Sequence, residues 1–471
     1  MPQILTYLFI ALYSVTILSV ILVIITDNRN PLKTLPWVIV LLFAPVVGLV
    51  FYFFFGQNLS KQRIISRRTR KRISMRLIEA QDPSRPEIPE HWQPLAHLLK
   101  STIHAVPLYG SRITPYTDGA SKMEALLDEI ARARHHIHLQ YYILCNDRTG
   151  SRLCDALRAK AREGVQVRIL YDDVGSSSVK KSFFASLRRD GIEVRAFLHV
   201  RFPRFTSKIN YRNHRKIAVI DGRVGFIGGM NIADRYVYGT DWGIWRDTHF
   251  RIEGNGVAGL QASFLSDWSA TTKQRITGAE YYPPTRHFTR DVLQIVPSGP
   301  FGKWRTLLQA DSYAVTRACH RIWIQTPYYL PSEVLNSALQ TAALAGIDVR
   351  LMLPARSDSR VVDLASHSYL DDMMKAGVKI LFYTPGFLHS KLLIVDDDLT
   401  VIGSANMDFR SFEHNFEVNA FLYDAEFTAR MAAIFDHDAS NSHPLTPAEW
   451  FNRPRPRRWA ESLMRLFSPL L

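Results

Sequence analysis

His214-Arg215-Lys216-Ile217-Ala218-Val219-Ile220-Asp221, followed after six intervening residues by Gly228-Gly229-Met230-Asn231, decides the reading of this chain, because the pattern returns. The second copy is His389-Ser390-Lys391-Leu392-Leu393-Ile394-Val395-Asp396, then Gly403-Ser404-Ala405-Asn406. In both, Lys lies two residues after His, Asp seven and Asn seventeen. Residues two apart on a strand share a face, so each His and Lys project together while the apolar run behind them enters a core. The Asp falls beyond that run, at a turn, and is not expected to face a substrate. A second strand returns through Gly-Gly or Gly-Ser, where small residues permit close backbone approach, and presents the Asn beside the pair. Each copy thus supplies an imidazole, an ammonium and an amide donor.

The flanks repeat as well. Residues 137–143 (Ile-His-Leu-Gln-Tyr-Tyr-Ile) read as a strand, 152–163 as a helix stopped by Gly164, and 165–171 as a second strand. A helix to Arg189, then Gly191 and a strand over 192–197, continue the βαβ rhythm of an α/β layer fold. In the second half, 322–325 echoes 137–140, Gly346 to Leu351 echoes Gly164 to Ile169, and Gly377 to Ile380 echoes Gly191 to Val194. A period of about 175 residues is too long for a solenoid and indicates a duplicated domain.

Two such half-sites facing each other across a pseudo-two-fold axis suit phosphodiester chemistry. One imidazole attacks phosphorus while the other protonates the leaving alkoxide. Lys216, Lys391, Asn231 and Asn406 stabilise the equatorial oxygens in place of a metal, and Ser404 is expected with the two Asn in the phosphate-binding set. Neither metal nor cofactor is expected. Each imidazole also needs a carboxylate to hold its tautomer and orientation. In the second half Glu417, on a strand read over 415–419, lies 28 residues after His389. In the first, Asp247, on a strand read over 245–250, lies 33 residues after His214.

The amino-terminal region is of another kind. Ile4 to Thr26 is an uncharged stretch of 23 residues, long enough to cross a hydrocarbon core of about 30 Å. A short polar loop through Lys33 leads to a second uncharged stretch, Leu35 to Gly56. A cleaved signal peptide is the rival reading. The first stretch lacks a charged n-region, is too long for an h-region and is followed at once by a second span. Eight Lys and Arg lie between Lys61 and Arg76, against Arg29 and Lys33 in the loop. The positive-inside rule therefore places both termini in the cytoplasm. Over the whole chain 58 Lys and Arg outweigh 43 Asp and Glu, a formal net charge of +15. Such a surface attracts nucleic acid, anionic lipid or phosphorylated substrates, and charge alone does not choose among them. Cys145, Cys154 and Cys319 show no ligand or CxxC spacing, which argues against a disulfide framework.

With these residues in view, the chain resembles the phospholipase D superfamily, whose signature, HxKx4D followed by Gly-Gly/Ser-x-Asn, both copies match. Within it the chain is most similar to the bacterial cardiolipin synthases. That likeness extends through Asn30-Pro31 and Phe55-Gly56, Tyr116-Thr117-Asp118-Gly119, Arg212-Asn213-His214, Gln325-Thr326-Pro327-Tyr328 and Asn406-Met407-Asp408-Phe409-Arg410-Ser411. The resemblance implies two tandem phospholipase D-like α-β-α sandwich domains behind a two-helix transmembrane hairpin. It implies a cytoplasmic (inner) bacterial membrane protein with its catalytic domains on the cytoplasmic side. The implied reaction joins two phosphatidylglycerol molecules, giving cardiolipin and glycerol, with no nucleic acid as partner. His214, Lys216, Asp221, His389, Lys391 and Asp396 are then the catalytic signature residues, with His214 as nucleophile and His389 as acid and base. The domains are expected at 1–60 (hairpin), 61–100 (basic linker), 101–280 and 281–471.

Other readings stand beside this one: a lipid hydrolase, a phosphatidyltransferase using another acceptor such as phosphatidylethanolamine, a nuclease, or a silent lipid-binding scaffold. A nuclease gains little from two membrane spans, and a scaffold needs no paired nucleophile and acid. At the carboxyl end, prolines 454 and 456 are expected to keep the basic stretch extended. A helix from about Trp459 onward either lies in a membrane interface or docks on the protein's own core.

Overall fold

Two mixed β-sheets organise the soluble part of the chain in this computed structural model, which describes residues 2–26, 31–52, 73, 88–199, 210–276 and 278–471. The first sheet has the strand order Arg112–Tyr116, His249–Glu253, Val224–Gly228, Ile217–Ile220, His136–Tyr141, Gln166–Asp172, Glu193–Phe197. The second repeats it as Val292–Ser298, Glu417–Tyr423, Leu399–Gly403, Leu392–Val395, Arg321–Gln325, Asp348–Pro354, Lys379–Tyr383, with Leu108–Tyr109 and Ser442–Pro444 added at its edges. In each, three strands joined by helical crossovers run parallel and the motif strand pairs antiparallel to the first of them. The duplicated α/β fold expected from the repeats is present.

The motif strands 217–220 and 392–395 are buried along their whole length, as continuous Ile/Val/Leu runs require. Between the sheets lies one core shared by both halves. Ile217, Val219, Ile227, Phe250, Ile252 and Leu260 pack there with Leu293, Ile394, Val418, Leu422, Phe427 and Phe435. The two halves are accordingly parts of one compact unit, Gln62–His199 with Arg212–Leu471.

Two expectations about boundaries are corrected. The linker does not run to residue 100, because the helix Gln93–Ile103 buries Leu95 and Leu99, with Trp92, in the core of the second half. Leu108–Tyr109 then pairs with Val292 and Leu293, so 90–109 belongs with the second sheet although it precedes the first. The basic run 61–76 lies outside the described residues, Ile73 excepted.

The other unit comprises Met1–Lys61 and Val200–Tyr211. Its helix Pro2–Thr26 is long and apolar enough to cross a membrane. The second stretch is a helix in two pieces, Pro31–Phe43 and Pro45–Phe51. Pro45 disfavours the helical region for the residue before it, and Ala44 accordingly takes φ −137°, ψ 63°. Ile17 and Ile24 pack with Leu41, and the rings of Trp37 and Tyr52 meet edge to face at 5.6 Å.

The C-terminal expectation changes too. The prolines do not hold 453–458 extended, because Pro456 sits in the first turn of the helix Arg455–Arg465, where a missing N–H costs no hydrogen bond. The helix docks through the buried Glu461, with Met464 packed against the core of the second half. Glu461 is buried and accepts from Arg453 (3.0 and 2.8 Å) and Arg457 (3.2 Å), while Arg457 reaches His367 at 3.2 Å.

Candidate active site

Two short parallel pairings carry the histidines to their places. His214 donates its backbone N–H to Phe416 O (2.9 Å), and Phe416 N–H reaches Arg212 O (2.8 Å). On the other side Gly386–Leu388 pairs with Ile244–Arg246, and His389 N–H donates to Arg246 O at 2.7 Å. Each histidine-bearing segment therefore lies beside the acid-bearing segment of the opposite half. His214 Nδ1 lies 3.0 and 3.1 Å from the Glu417 carboxylate, and His389 Nδ1 lies 2.6 Å from Asp247 Oδ2. The count from each histidine to the acid of its own half found the two acids; the pairing crosses between halves. The continuous strand read over 245–250 is also broken, into Ile244–Arg246 and His249–Glu253. Its first part pairs with the second half, its second part with the first sheet, and Asp247 sits at the change of partner.

Ser404 is not beside the cleft as expected. It is fully buried, and its hydroxyl donates to Glu417 Oε2 at 2.5 Å. The residue after the motif glycine faces the acid, and the Asn two further on reaches the cleft. Asn415 also donates to Glu417 (3.2 Å). At the matching place in the first half stands Gly229, where a Cβ would lie 2.1 Å from Asp247 Oδ1. The shorter acid thus occupies space that Ser404 fills in the other half.

Electrostatics follow from these partners. Burial opposes ionisation of Glu417, yet the His214 ring, Lys216 and the Ser404 hydroxyl together bring its pKa below the usual value. Asp247 has fewer donors, and burial pushes it up to about 6 despite Lys391. Burial lowers both histidines; His214 is partly sustained by Glu417, whereas Lys391 and Lys216 push His389 further down. Burial also lowers Lys216, strongly, and brings Lys391 to about 8. Burial is the first cause of all four histidine and lysine shifts, and neighbouring cations add to it at His214, His389 and Lys216, so a bound phosphodiester would favour the charged forms.

Each lysine is aimed by its own strand. Lys216 Nζ donates to His214 O at 2.6 Å, and Lys391 Nζ to His389 O. Asn231 spends one amide N–H on Tyr236 Oη (2.6 Å) and Asn406 one on Asp408 (2.9 Å), which leaves each a second N–H for the cleft. That cleft is lined by His214, His389, Asn231 and Asn406, together with Tyr142, Tyr236, Trp245 and Tyr328. The signature acids lie elsewhere, at turns. Asp221 accepts the N–H groups of Arg134, His135 and His136 (2.8, 2.8 and 2.9 Å), and Asp396 those of Cys319, His320 and Arg321. Both have positive φ, 53° and 51°, and both fasten the start of the neighbouring strand.

Four further residues hold these segments in place. Arg215 donates to Glu417 O (2.9 Å), Ser298 O (2.9 Å) and Asp267 (2.6 Å). Arg246 donates to Asp247 O (2.8 Å) and clamps Asp438 with two N–H groups (3.1 and 2.6 Å). Gln140 and Gln325 hold the same two aspartates at 2.6 and 2.8 Å. Both guanidiniums thus hold the backbone of a histidine-orienting acid, from opposite elements: Arg215 lies between His214 and Lys216, and Arg246 just before Asp247. Because the arginines occupy non-equivalent positions in the repeat, aligning the halves does not reveal them.

Comparison with known proteins agrees with this geometry. The family described as cardiolipin synthase, phospholipase D-like domain, matches residues 126–248 and 313–439, and the phospholipase D-nuclease N-terminal family matches 11–57. A cardiolipin synthase from Geobacillus thermodenitrificans (strain NG80-2) is 42% identical over 98% of this chain and 94% of its own. Cardiolipin synthase 2 of Bacillus anthracis is 42% identical over 95% of this chain and 89% of its own. The crystal structure of phosphatidylserine synthase from Haemophilus influenzae Rd KW20 superposes with a TM-score of 0.63 at 14% identity, covering 82% of this chain and all of that one, a likeness of fold. With both halves of the site built on matching elements and its relatives similar along nearly their whole length, the chain belongs to the cardiolipin synthase family of phospholipase D-like proteins.

Proposed function

We propose that this protein is a cardiolipin synthase that transfers a phosphatidyl group between two phosphatidylglycerol molecules. The observation that carries the reading is the pair of histidines, each on a buried carboxylate of the opposite half, around one cleft. With its Nδ1 proton held by Glu417, His214 presents an Nε2 lone pair to phosphorus. A P–N bond forms as the P–O bond to the terminal glycerol breaks. His389 gives that oxygen its proton, and glycerol leaves. The hydroxyl of a second phosphatidylglycerol then yields its proton to His389 and attacks phosphorus. The P–N bond breaks, and cardiolipin is released. Lys216, Lys391, Asn231 and Asn406 carry the charge on the equatorial oxygens. One phosphodiester replaces another, so no nucleotide is consumed.

The two apolar segments before residue 53 and the basic run after it support a multi-pass anchor in the inner membrane, with the catalytic unit on the cytoplasmic side. Thin-layer chromatography of the purified protein with labelled phosphatidylglycerol, with and without phosphatidylethanolamine, tests the reading. Cardiolipin and glycerol in equal amounts from phosphatidylglycerol alone are expected. Phosphatidic acid alone would make the protein a hydrolase, and product only with phosphatidylethanolamine present would change the acceptor.

A further inference from the structure

Arg235 lies four residues after Asn231, and Arg410 four after Asn406; both line the cleft. The guanidinium of Arg235 sits over Trp245 at 5.1 Å and Tyr236 at 5.5 Å. Those rings in turn pack against His389 at 5.5 and 5.9 Å. Arg235 therefore stands on the His389 side. The neighbouring Asp234 is engaged by Thr149 (2.7 and 2.6 Å) and the N–H of Arg148, turned toward the start of another helix.

We propose that Arg235 binds the phosphate of the acceptor lipid. The proposal rests on the transfer reading above. In two in-line displacements at one phosphorus, the entering oxygen of the second step comes from the side that the first leaving group vacated. With His214 as nucleophile, that side is the one facing His389. The attacking hydroxyl of phosphatidylglycerol is separated by its three-carbon glycerol from a phosphodiester of its own. Lys216, Lys391, Asn231 and Asn406 are occupied by the phosphate being transferred, so a second anion needs another cation beyond His389. Arg235 also hydrogen-bonds the Tyr236 side chain, and a guanidinium laid on aromatic faces, with five N–H donors, retains edge N–H groups to offer a phosphate.

The test is a partition experiment. Full-length protein in phosphatidylglycerol nanodiscs is given ethanol, so the covalent intermediate divides between a lipid acceptor that carries phosphate and an alcohol that does not. Arg235→Gln should lower the ratio of cardiolipin to phosphatidylethanol about tenfold, the size expected for one charge-assisted contact, and Arg235→Lys should recover part of it. An unchanged ratio, whatever the total rate, overturns the assignment. If the unsubstituted protein forms phosphatidylethanol and no cardiolipin, the reading of phosphatidylglycerol as acceptor fails, which is a separate result.

The C-terminal helix Arg455–Arg465 turns an apolar face to solvent. On its docked side Glu461 is buried and Met464 packs against the core of the second half, while Trp459, Leu463 and Leu466, at helical spacing on the opposite side, are 78%, 54% and 74% exposed. Surface helices ordinarily bury such a face. Arg455 and Arg458 are exposed along the same helix, and the chain beyond it ends at Leu471, which lines the catalytic cleft. We infer that this face enters the surface of an anionic bilayer and holds the cleft mouth at the headgroups, where lipid phosphate is found. Leu463→Cys in a Cys319→Ser background, labelled with a fluorophore in nanodiscs of phosphatidylglycerol and phosphatidylcholine, should be quenched by brominated acyl chains. Trp459→Ser/Leu463→Ser/Leu466→Ser should lose about tenfold in turnover of bilayer substrate relative to a short-chain monomeric analogue. An unquenched probe, or equal loss on both substrates, overturns this inference; efficient cross-linking of the probe site between two copies would assign the face to self-association instead.

Discussion

His214 and His389 carry the same ring in the same motif, and what stands behind each ring differs. Glu417 receives His214, the Ser404 hydroxyl and Asn415, whereas Asp247 receives His389 and the Thr248 N–H. The first acid is held ionised and the second is pushed toward protonation. A firmly ionised partner suits a nucleophile that becomes cationic on attack; a weaker one suits a ring that must give its proton away. The crossed pairing is testable by a double-mutant cycle on kcat. His214→Ala and Glu417→Gln, each costing about 10² or more by analogy with triad residues, should together cost little beyond the larger single effect. His214→Ala with Asp247→Asn should show coupling only through the shared reaction step, visible as intermediate that fails to form rather than fails to turn over.

The lysines give a pH prediction. With Lys391 lowered to about 8 by burial, its ammonium is present below that value and lost as pH rises through it. The profile of kcat/KM, which reports the free enzyme, should fall on an alkaline limb near 8. The limb in kcat should lie higher, because bound phosphate favours the charged form. Coincident limbs would remove Lys391 from the substrate's side. At this scale much was legible: identical offsets picked out the His and Asn of both halves that line one cleft, and Lys216 and Lys391, which are buried. Ser404 was misplaced because spacing tells which strand carries a residue and leaves open which neighbour its hydroxyl meets.

Among the elements, the signature aspartates act as fasteners. Asp221 ties 134–136 to the end of its own motif strand and Asp396 does the same for 319–321. Asp221→Ala leaves three backbone N–H groups without their acceptor, some of them able to reach water. It should lower stability by about 2 kcal/mol, read as a fall in melting temperature in detergent, while kcat per folded molecule stays within a few-fold. A stable, inactive variant would contradict the structural role. The sequence anticipated this placement because the apolar run between Lys and Asp must be spent inside the sheet. It did not anticipate the helix starting at Arg455, since a proline that blocks a helix interior is also well suited to its first turn.

At the scale of the whole molecule, the duplicated sheets were readable because each strand carries its own pattern. The contacts between halves were not, because they join residues about 140 to 200 apart in the chain through backbone bonds that any residue can make. Arg215 illustrates this: its partners Ser298, Glu417 and Asp267 come from three separate elements. Arg215→Ala would strand the buried Asp267 carboxylate and should cost about 3–5 kcal/mol. Chemical unfolding of the full chain in detergent measures it, and a loss below 1 kcal/mol would show that Arg215 does not help to hold the halves together.

The central claim is that two halves make one site in which His214 takes the phosphatidyl group and His389 moves the proton. Rapid quenching of His389→Ala with a donor lipid bearing p-nitrophenol tests it most directly, since that leaving group departs without protonation. A burst of p-nitrophenol, with labelled phosphatidyl bound to His214 and released slowly for want of a base, is the predicted result. His214→Ala should give neither burst nor adduct with the same donor. An adduct on His389 in His214→Ala, with no burst in His389→Ala, would contradict the assignment.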